Sequence, residues 1–273
     1  MSPGLATNEG ARRYATGNCF AAVGRMRLLL QVLLMVMTGS VMARPRALVV
    51  TATAGYRHES IPTAESILEL IGNEQNVEVA FVRTEEEVAL QLTRSRLRTV
   101  RAVLFVNTTG DLPLGAAEAL VAWVRDGGVF VGIHSASDTW HSVPDYMEMI
   151  GGEFIGHPAE TSATVIVDDA THVATRTLPA AYALYEEFYY LGSVDLTAIR
   201  ALLSIRKRPE PPAEDGYWPL AWEKSFGRGR VLYTALGHRE DVWLSDWFRA
   251  HLTGIVRWAV TPPAYGRRRA VRH

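Results

Sequence analysis

Three histidines of this chain stand just past short apolar runs, where a strand would deliver its next side chain into a cleft. His134 follows residues 129–133 within Gly132-Ile133-His134-Ser135-Ala136, His58 follows RALVVTAT and a glycine turn, and His238 follows LYTAL and Gly237. Imidazole changes protonation near neutral pH and carries a nitrogen lone pair, so each could act as a base, an acid or a metal ligand. His134 has the sharper setting, because small neighbours permit the tight turn by which a strand end projects one side chain. Its plain alternative is a histidine hydrogen-bonded at a strand end to brace the loop. Glu240 lies two residues beyond His238, a spacing that suits a base and the carboxylate that orients it. A surface histidine and glutamate near a turn would look the same. His172 reads as a surface-loop histidine.

Thiolate chemistry is closed to the expected mature chain. The single cysteine, Cys19, lies upstream of an apolar run at residues 28–37. Arg25 and Arg27 precede that run, and Thr38-Gly39-Ser40-Val41-Met42-Ala43 follows it. A charged start, an apolar middle and a small residue at the end describe a secretory signal cleaved after Ala43. The alternative is a membrane anchor, but a spanning helix needs about 20 apolar residues, and this run is shorter. Residues 1–43 are therefore expected to be a leader, the chain to be exported (periplasmic or extracellular), and no stable membrane span to remain. The stretch ahead of Arg25 is long for a leader, which leaves Met26 open as the start. Loss of Cys19 with the leader excludes disulfides, cysteine metal ligation and a cysteine nucleophile.

Composition narrows the partners. With 48% hydrophobic and 21% charged residues the make-up is that of an ordinary globular domain. A formal net charge of −1 gives no electrostatic reason to expect nucleic acid or an anionic membrane. Seven Trp and ten Tyr are compatible with a carbohydrate groove and equally with a core.

The elements that must position these groups alternate in type. Residues 46–53, 77–82, 101–107 and 129–133 are short apolar runs of the kind found in buried parallel strands. Between them, residues 60–72 carry apolar positions at helical spacing, with Ser60 as a cap and Pro62 in the first turn. Residues 84–97 form a second helical stretch with Val88 and Leu92 on one face, and residues 114–125 a third, stopped by Gly127-Gly128. This rhythm predicts a parallel sheet covered on both faces, with ligands bound beyond the carboxyl ends of its strands. The turns holding His58, residues 107–111 and His134 all fall on that edge. After His134 the next helix is expected to begin late, past Pro144. Residues 161–167 and 201–205 read as strands, 220–223 and 230–235 as a hairpin about Gly227-Arg228-Gly229, and 246–260 as a closing amphipathic helix. One domain is expected over residues 44–260, with a loose basic tail at 261–273.

At the level of motifs the chain resembles a known family. TATAGYRHESIP, LFVNTTGD, GGVFVGIHSASDTW, IGGEFIGHP, YEEFYYL and GRGRVLYTALGHRED, in that order, are similar to the ThuA domain (trehalose utilisation type) of the class I glutamine amidotransferase-like superfamily. The resemblance spans residues 46–260. It implies a flavodoxin-like α/β/α sandwich with a mostly parallel central sheet. Glutamine amidotransferases set their cysteine in a Gly-Ile-Cys-x-Gly elbow and their base in His-Pro-Glu. Overlaying those patterns puts His134 at the cysteine position, and His238 and Glu240 at the histidine and glutamate positions. Imidazole cannot form the glutamyl thioester, so glutaminase activity is excluded by this overlay.

The resemblance also selects His58, Asp111, Asp138, His157, Glu187 and Tyr189. It implies carbohydrate catabolism, at the level of a 3-keto disaccharide or glycoside. On this reading His134 and His238 form an acid/base pair, Glu240 orients His238, and Glu187 and Asp138 bind hydroxyls. Trp140 and Tyr189 supply stacking surface, and His58, Asp111 and His157 complete the substrate site. Each has a structural alternative: His157 fixes a turn before Pro158, Asp111 caps a helix, Tyr189 is core. No local ligand spacing such as His-Glu-x-x-His occurs. A divalent metal would need His58, His134, His238 and Glu187 assembled across the fold, and metal-free acid/base work by the same groups is equally open. A non-catalytic carbohydrate-binding module and a metal-dependent hydrolase are the competing functions.

Overall fold

Residues rich in Val, Leu, Phe and Ile build five short strands, buried on both faces except at the edge strand of residues 78–82, which is only partly covered. They are β1 (Arg46–Val50), β2 (Glu78–Val82), β3 (Ala102–Val106), β4 (Val129–Ile133) and β11 (Gly229–Thr234). The computed structural model describes Met1, residues 43–209 and residues 215–262. Residues 2–42 of the expected leader, with Cys19, and most of the expected tail lie outside those residues. The five strands pair in parallel in the order β2-β1-β3-β4-β11, which is the flavodoxin arrangement with β11 in fifth place.

Alternation along each strand sends side chains to two cores. Val49, Leu104, Val131 and Leu232 meet Leu68 of α1 (Ile61–Glu74) and Leu252 of α7 (Asp246–Val260) on one face. Leu48, Phe105, Phe130 and Tyr233 meet Leu120 of α4 (Leu114–Arg125) and Tyr146 of α5 (Pro144–Ile150) on the other. In α7 the buried residues Phe248, His251, Leu252, Ile255 and Trp258 recur every three or four positions, the spacing of one helical face. The result is the expected three-layer α/β/α sandwich.

The sheet continues past β11. It adds β10 (Asp215–Phe226), β9 (Arg200–Lys207), β6 (Thr161–Val167) and β7 (Ala181–Glu186), all antiparallel to their neighbours. A separate ribbon pairs β5 (Glu153–Gly156) with β8 (Tyr190–Gly192). Among the described residues, no helix is long and apolar enough to cross a membrane.

Several local expectations change. The stretch 84–97 is two short helices, α2 (Glu85–Gln91) and α3 (Arg94–Leu97), because Thr84 and Thr93 each accept a backbone N–H and so each starts its own helix. Ser60 stands at the cap position of α1 without capping it; its Oγ accepts from Asn107 Nδ2 at 3.0 Å instead. The next α-helix does begin at Pro144, but a single 3₁₀ turn, His134–Asp138, precedes it and starts at the histidine itself. His172 is buried, with Nε2 3.3 Å from Glu223 Oε2, so it belongs to the packing of the antiparallel half rather than to a surface loop.

Candidate active site

Three loops at the carboxyl edge of the parallel strands are tied into one floor. Asn107, just past β3, adopts a left-handed φ of +53° and donates from Nδ2 to Ser60 Oγ and to Gly237 O, both at 3.0 Å. Thr109 O accepts from the N–H groups of Ala54 and Gly55 at 2.9 and 3.3 Å. The approach is so close that a Cβ on Gly110, at φ +76°, would lie 2.7 Å from Gly55 N. Only glycine fits there.

His134 rises from this floor on a strained elbow. Its φ of +52° is uncommon for a residue with a side chain. Tyr233 OH donates to its carbonyl at 2.9 Å and fixes the turn. The imidazole Nδ1 lies 2.9 Å from Ala235 O, and a carbonyl can only accept, so Nδ1 bears the proton. Its Nε2 is buried and without a hydrogen-bond partner. Tyr189 packs behind the ring at 4.2 Å between centroids.

Two more imidazoles face it. The His58 ring stands 4.8 Å from that of His134 and 5.2 Å from that of His238, both edge-on. Glu187, just beyond β7, brings Oε2 to 3.4 Å from His134 Nε2 and 3.2 Å from His238 Nδ1. The four residues His58, His134, Glu187 and His238 can each offer one ligand atom, all within 4.8 Å of one another. His58 Nδ1, His134 Nε2 and His238 Nδ1 are all buried with no hydrogen-bond partner. Burial pushes His58 down to about 3, helped by the neighbouring imidazoles, so it is a neutral donor. Burial alone would raise Glu187, but the imidazoles of His134 and His238 outweigh it and hold the carboxylate well below its ordinary range. His238 shows the converse: burial opposes its charge, yet Glu187 first and then Glu186 and Glu160 raise it above the usual value.

The donor set fits a divalent metal. Ligands on one ion with bonds of about 2.0–2.2 Å can be at most roughly 4.4 Å apart. That limit is for opposed ligands; in zinc's tetrahedral geometry the atoms lie roughly 3.4 Å apart. The widest separation here, 4.8 Å, must therefore close by more than about an ångström through side-chain rotation as the ion binds.

Beside the cluster sits a carboxylate that sequence reasoning missed. Glu186 is fully buried; its Oε1 accepts from Gly237 N and His238 N at 2.8 and 2.7 Å, and its Oε2 has no partner. Burial pushes its carboxyl up. Glu160 is a second omission, with Oε1 3.4 Å from His238 Nε2 and an ion pair to Arg239. The available signal for Glu186 was a charge inside the apolar and aromatic run LYEEF. Glu160 carried no signal, since its loop is placed by the sheet's antiparallel half.

The other expected residues scatter. His157 is exposed and joins the site, its Nδ1 3.0 Å from Glu187 Oε1. Glu240 does not orient His238. It heads the short helix α6 (Glu240–Leu244) and accepts from Thr63 Oγ1 at 2.6 Å, because the backbone turns away after Arg239. Trp140 is not a stacking surface: it is fully buried and donates from Nε1 to Leu112 O at 2.6 Å. Asp111 is exposed, takes a hydrogen bond from Ser142 Oγ at 3.2 Å and caps no helix. Asp138 is 2.8 Å from His141 Nε2, so its partner is a neighbouring imidazole. Tyr189 lines the site as a buried wall.

A flavodoxin-type sheet with a histidine on its strained elbow, facing two further imidazoles and a carboxylate, defines an α/β protein whose cleft is built around nitrogen donors. Its family follows from comparison: the model described as ThuA, trehalose utilisation, matches residues 46–259, and the chain belongs to that family. Among solved structures it resembles a putative ThuA-like protein from Bacteroides uniformis (18% identity, TM-score 0.67), over 84% of this chain and 97% of that one. A putative ThuA-like protein from Parabacteroides merdae is similar too (18% identity, TM-score 0.66), over 80% of this chain and 90% of that one. A β-galactosidase from Bacillus circulans sp. alkalophilus shares the fold (13% identity, TM-score 0.53), over 91% of this chain but 36% of that one. Curated proteins give no match.

Proposed function

We propose that this chain is a carbohydrate-processing enzyme in which His58, His134, His238 and Glu187 hold a divalent transition metal ion. One observation supports the reading above the rest: three buried imidazole nitrogens without hydrogen-bond partners converge with a carboxylate. Nitrogen donors with a single carboxylate suit zinc and its neighbours better than magnesium or calcium. Such an ion supplies Lewis-acid polarisation of a sugar hydroxyl or carbonyl. The chain's own groups supply the rest. Glu186 holds His238 through two backbone N–H groups, Tyr189 backs His134 with an apolar wall, and exposed His157 brings Nδ1 to 3.0 Å from Glu187 Oε1. The family's link to trehalose utilisation favours a disaccharide or glycoside as substrate. A 3-keto sugar suits the site best, because a keto group acidifies the adjacent C–H and eases proton transfer to a nearby base.

Protein purified without an affinity tag should carry about one zinc-type ion per chain, measured by plasma mass spectrometry. Glu187→Ala and His134→Ala should reduce that to background. A chain that holds no metal as purified, and takes up none from zinc, cobalt or manganese, would sink the metal centre. Turnover should appear with an oxidised disaccharide and disappear with a chelator. Binding of oxidised and unoxidised sugars with turnover of neither would instead make the chain a carbohydrate-binding module. Export is a further proposal, supported by the pattern of residues 25–43; a secreted product whose first residue is not Arg44 would count against that cleavage site.

A further inference from the structure

We propose that Tyr56 is the stacking platform for a pyranose ring at the mouth of the imidazole cluster, so that the site selects a closed sugar ring over an open-chain polyol. The proposal rests on the carbohydrate reading above.

Tyr56 is 63% exposed, an unusual position for a large aromatic ring, and its ring stands 4.9 Å from that of His58 at an interplanar angle of 85°. His58 is itself a member of the cluster. A ring laid on Tyr56 therefore sits within about one sugar's width of the groups proposed to act on it.

The tyrosine is presented rather than loose. Thr109 Oγ1 donates to Tyr56 O at 2.7 Å, and Arg57 Nη1 donates to Thr51 O at 3.2 Å on the other side. Gly55 and Gly110 pack backbone to backbone immediately before it. An aromatic held in place by its backbone loses little freedom when a ligand arrives, which is how a solvent-facing ring becomes useful for binding.

Other aromatics near the site are already engaged. Trp140 is core, and Tyr189 is buried between His134 and Phe154. Tyr185, the other strongly exposed aromatic among the described residues, has the Arg239 guanidinium over its ring at 4.9 Å. Tyr56 is left as the open π face beside the cluster. The C–H-rich face of a pyranose is its apolar surface and matches that face; an extended polyol offers no such plane.

The test is isothermal titration of the full chain, as purified, with trehalose, maltose and sorbitol. A disaccharide should bind and sorbitol should bind at least about tenfold more weakly. Tyr56→Ala should weaken the disaccharide about 3- to 10-fold, with melting temperature and metal content unchanged, while Tyr56→Phe stays within about twofold of the parent. Equal disaccharide affinity in Tyr56→Ala and the parent overturns the platform and leaves the carbohydrate reading standing. Failure of the parent to bind either disaccharide, in its unoxidised or its 3-keto form, overturns both. A fall in melting temperature or metal content that accompanies lost affinity assigns Tyr56 to the integrity of the loop and also overturns the proposal.

Discussion

Glu186 and Glu187 are neighbours in sequence with opposite electrostatic fates. Glu187 gains two imidazoles and stays ionised, whereas Glu186 is raised by burial, which outweighs the nearby His134 and the two backbone N–H groups it accepts from. Removing the side chain of Glu186 leaves the N–H groups of Gly237 and His238 buried without acceptors. Glu186→Ala should therefore cost about 1–3 kcal/mol in urea denaturation, and Glu186→Gln, which keeps an acceptor oxygen, less than about 1 kcal/mol. Equal losses in the two variants would show that packing, not the paired N–H groups, gives Glu186 its role. At this scale the sequence is informative where a residue's place follows from chain direction. His58, His134 and His238 each follow a strand, and geometry sends strand ends to one edge. Glu240 was misplaced because nearness in sequence is not nearness in space once α6 begins. Trp140 was misplaced because its buried indole, on a left-handed backbone of φ +56°, satisfies its N–H within the core.

Loops here act as structural elements. The 53–56 and 107–110 segments lie back to back, and Gly110→Ala should force them apart. A loss of about 1–3 kcal/mol is expected from the strained φ and the 2.7 Å contact together; a thermal melt unchanged from the parent would refute it. A second device joins the 3₁₀ turn to β5. Both nitrogens of His141 lie 2.8 Å from a carboxylate, Nε2 from Asp138 and Nδ1 from Glu153. Burial works against the charged ring, but the two carboxylates raise its pKa above the ordinary value. A folded-state pKa above the unfolded one gives stability that is fully present below about pH 6.5 and lost as pH rises through the folded value. Partial exposure keeps the effect small. The stability gap between parent and His141→Asn should thus be wider at pH 6 than at pH 9, read by urea midpoints. A gap independent of pH would dissolve the clamp. Elements with strong periodicity, such as α4, β4, β6 and α7, were legible to the residue. The 84–97 stretch was not, because helical spacing does not reveal that Thr93 caps a new start. Strands β5, β7 and β8 were missed since their burial is partial and their pairing distant.

Across the whole molecule, the site lies where two kinds of sheet meet. The imidazoles come from loops of the parallel half, whereas Glu187 follows β7, the last strand of the antiparallel extension. The parallel half was readable from its run of strand and helix signals, but nothing local announced that the outermost strand would turn back to the centre. An ion bound only by the folded chain adds stability through mass action. Stripping it with a chelator should lower the melting temperature by about 5–10 °C for roughly 100-fold saturation, and Glu187→Ala should abolish that difference. An unchanged melt after stripping would speak against tight ligation. The position of Glu187 has one more consequence. Three neutral imidazoles bring no negative charge to a dication, so the only anion among these four donors is written into the far margin of the sheet. Any rearrangement that frays β7 would alter the charge balance of the cleft without touching a single histidine.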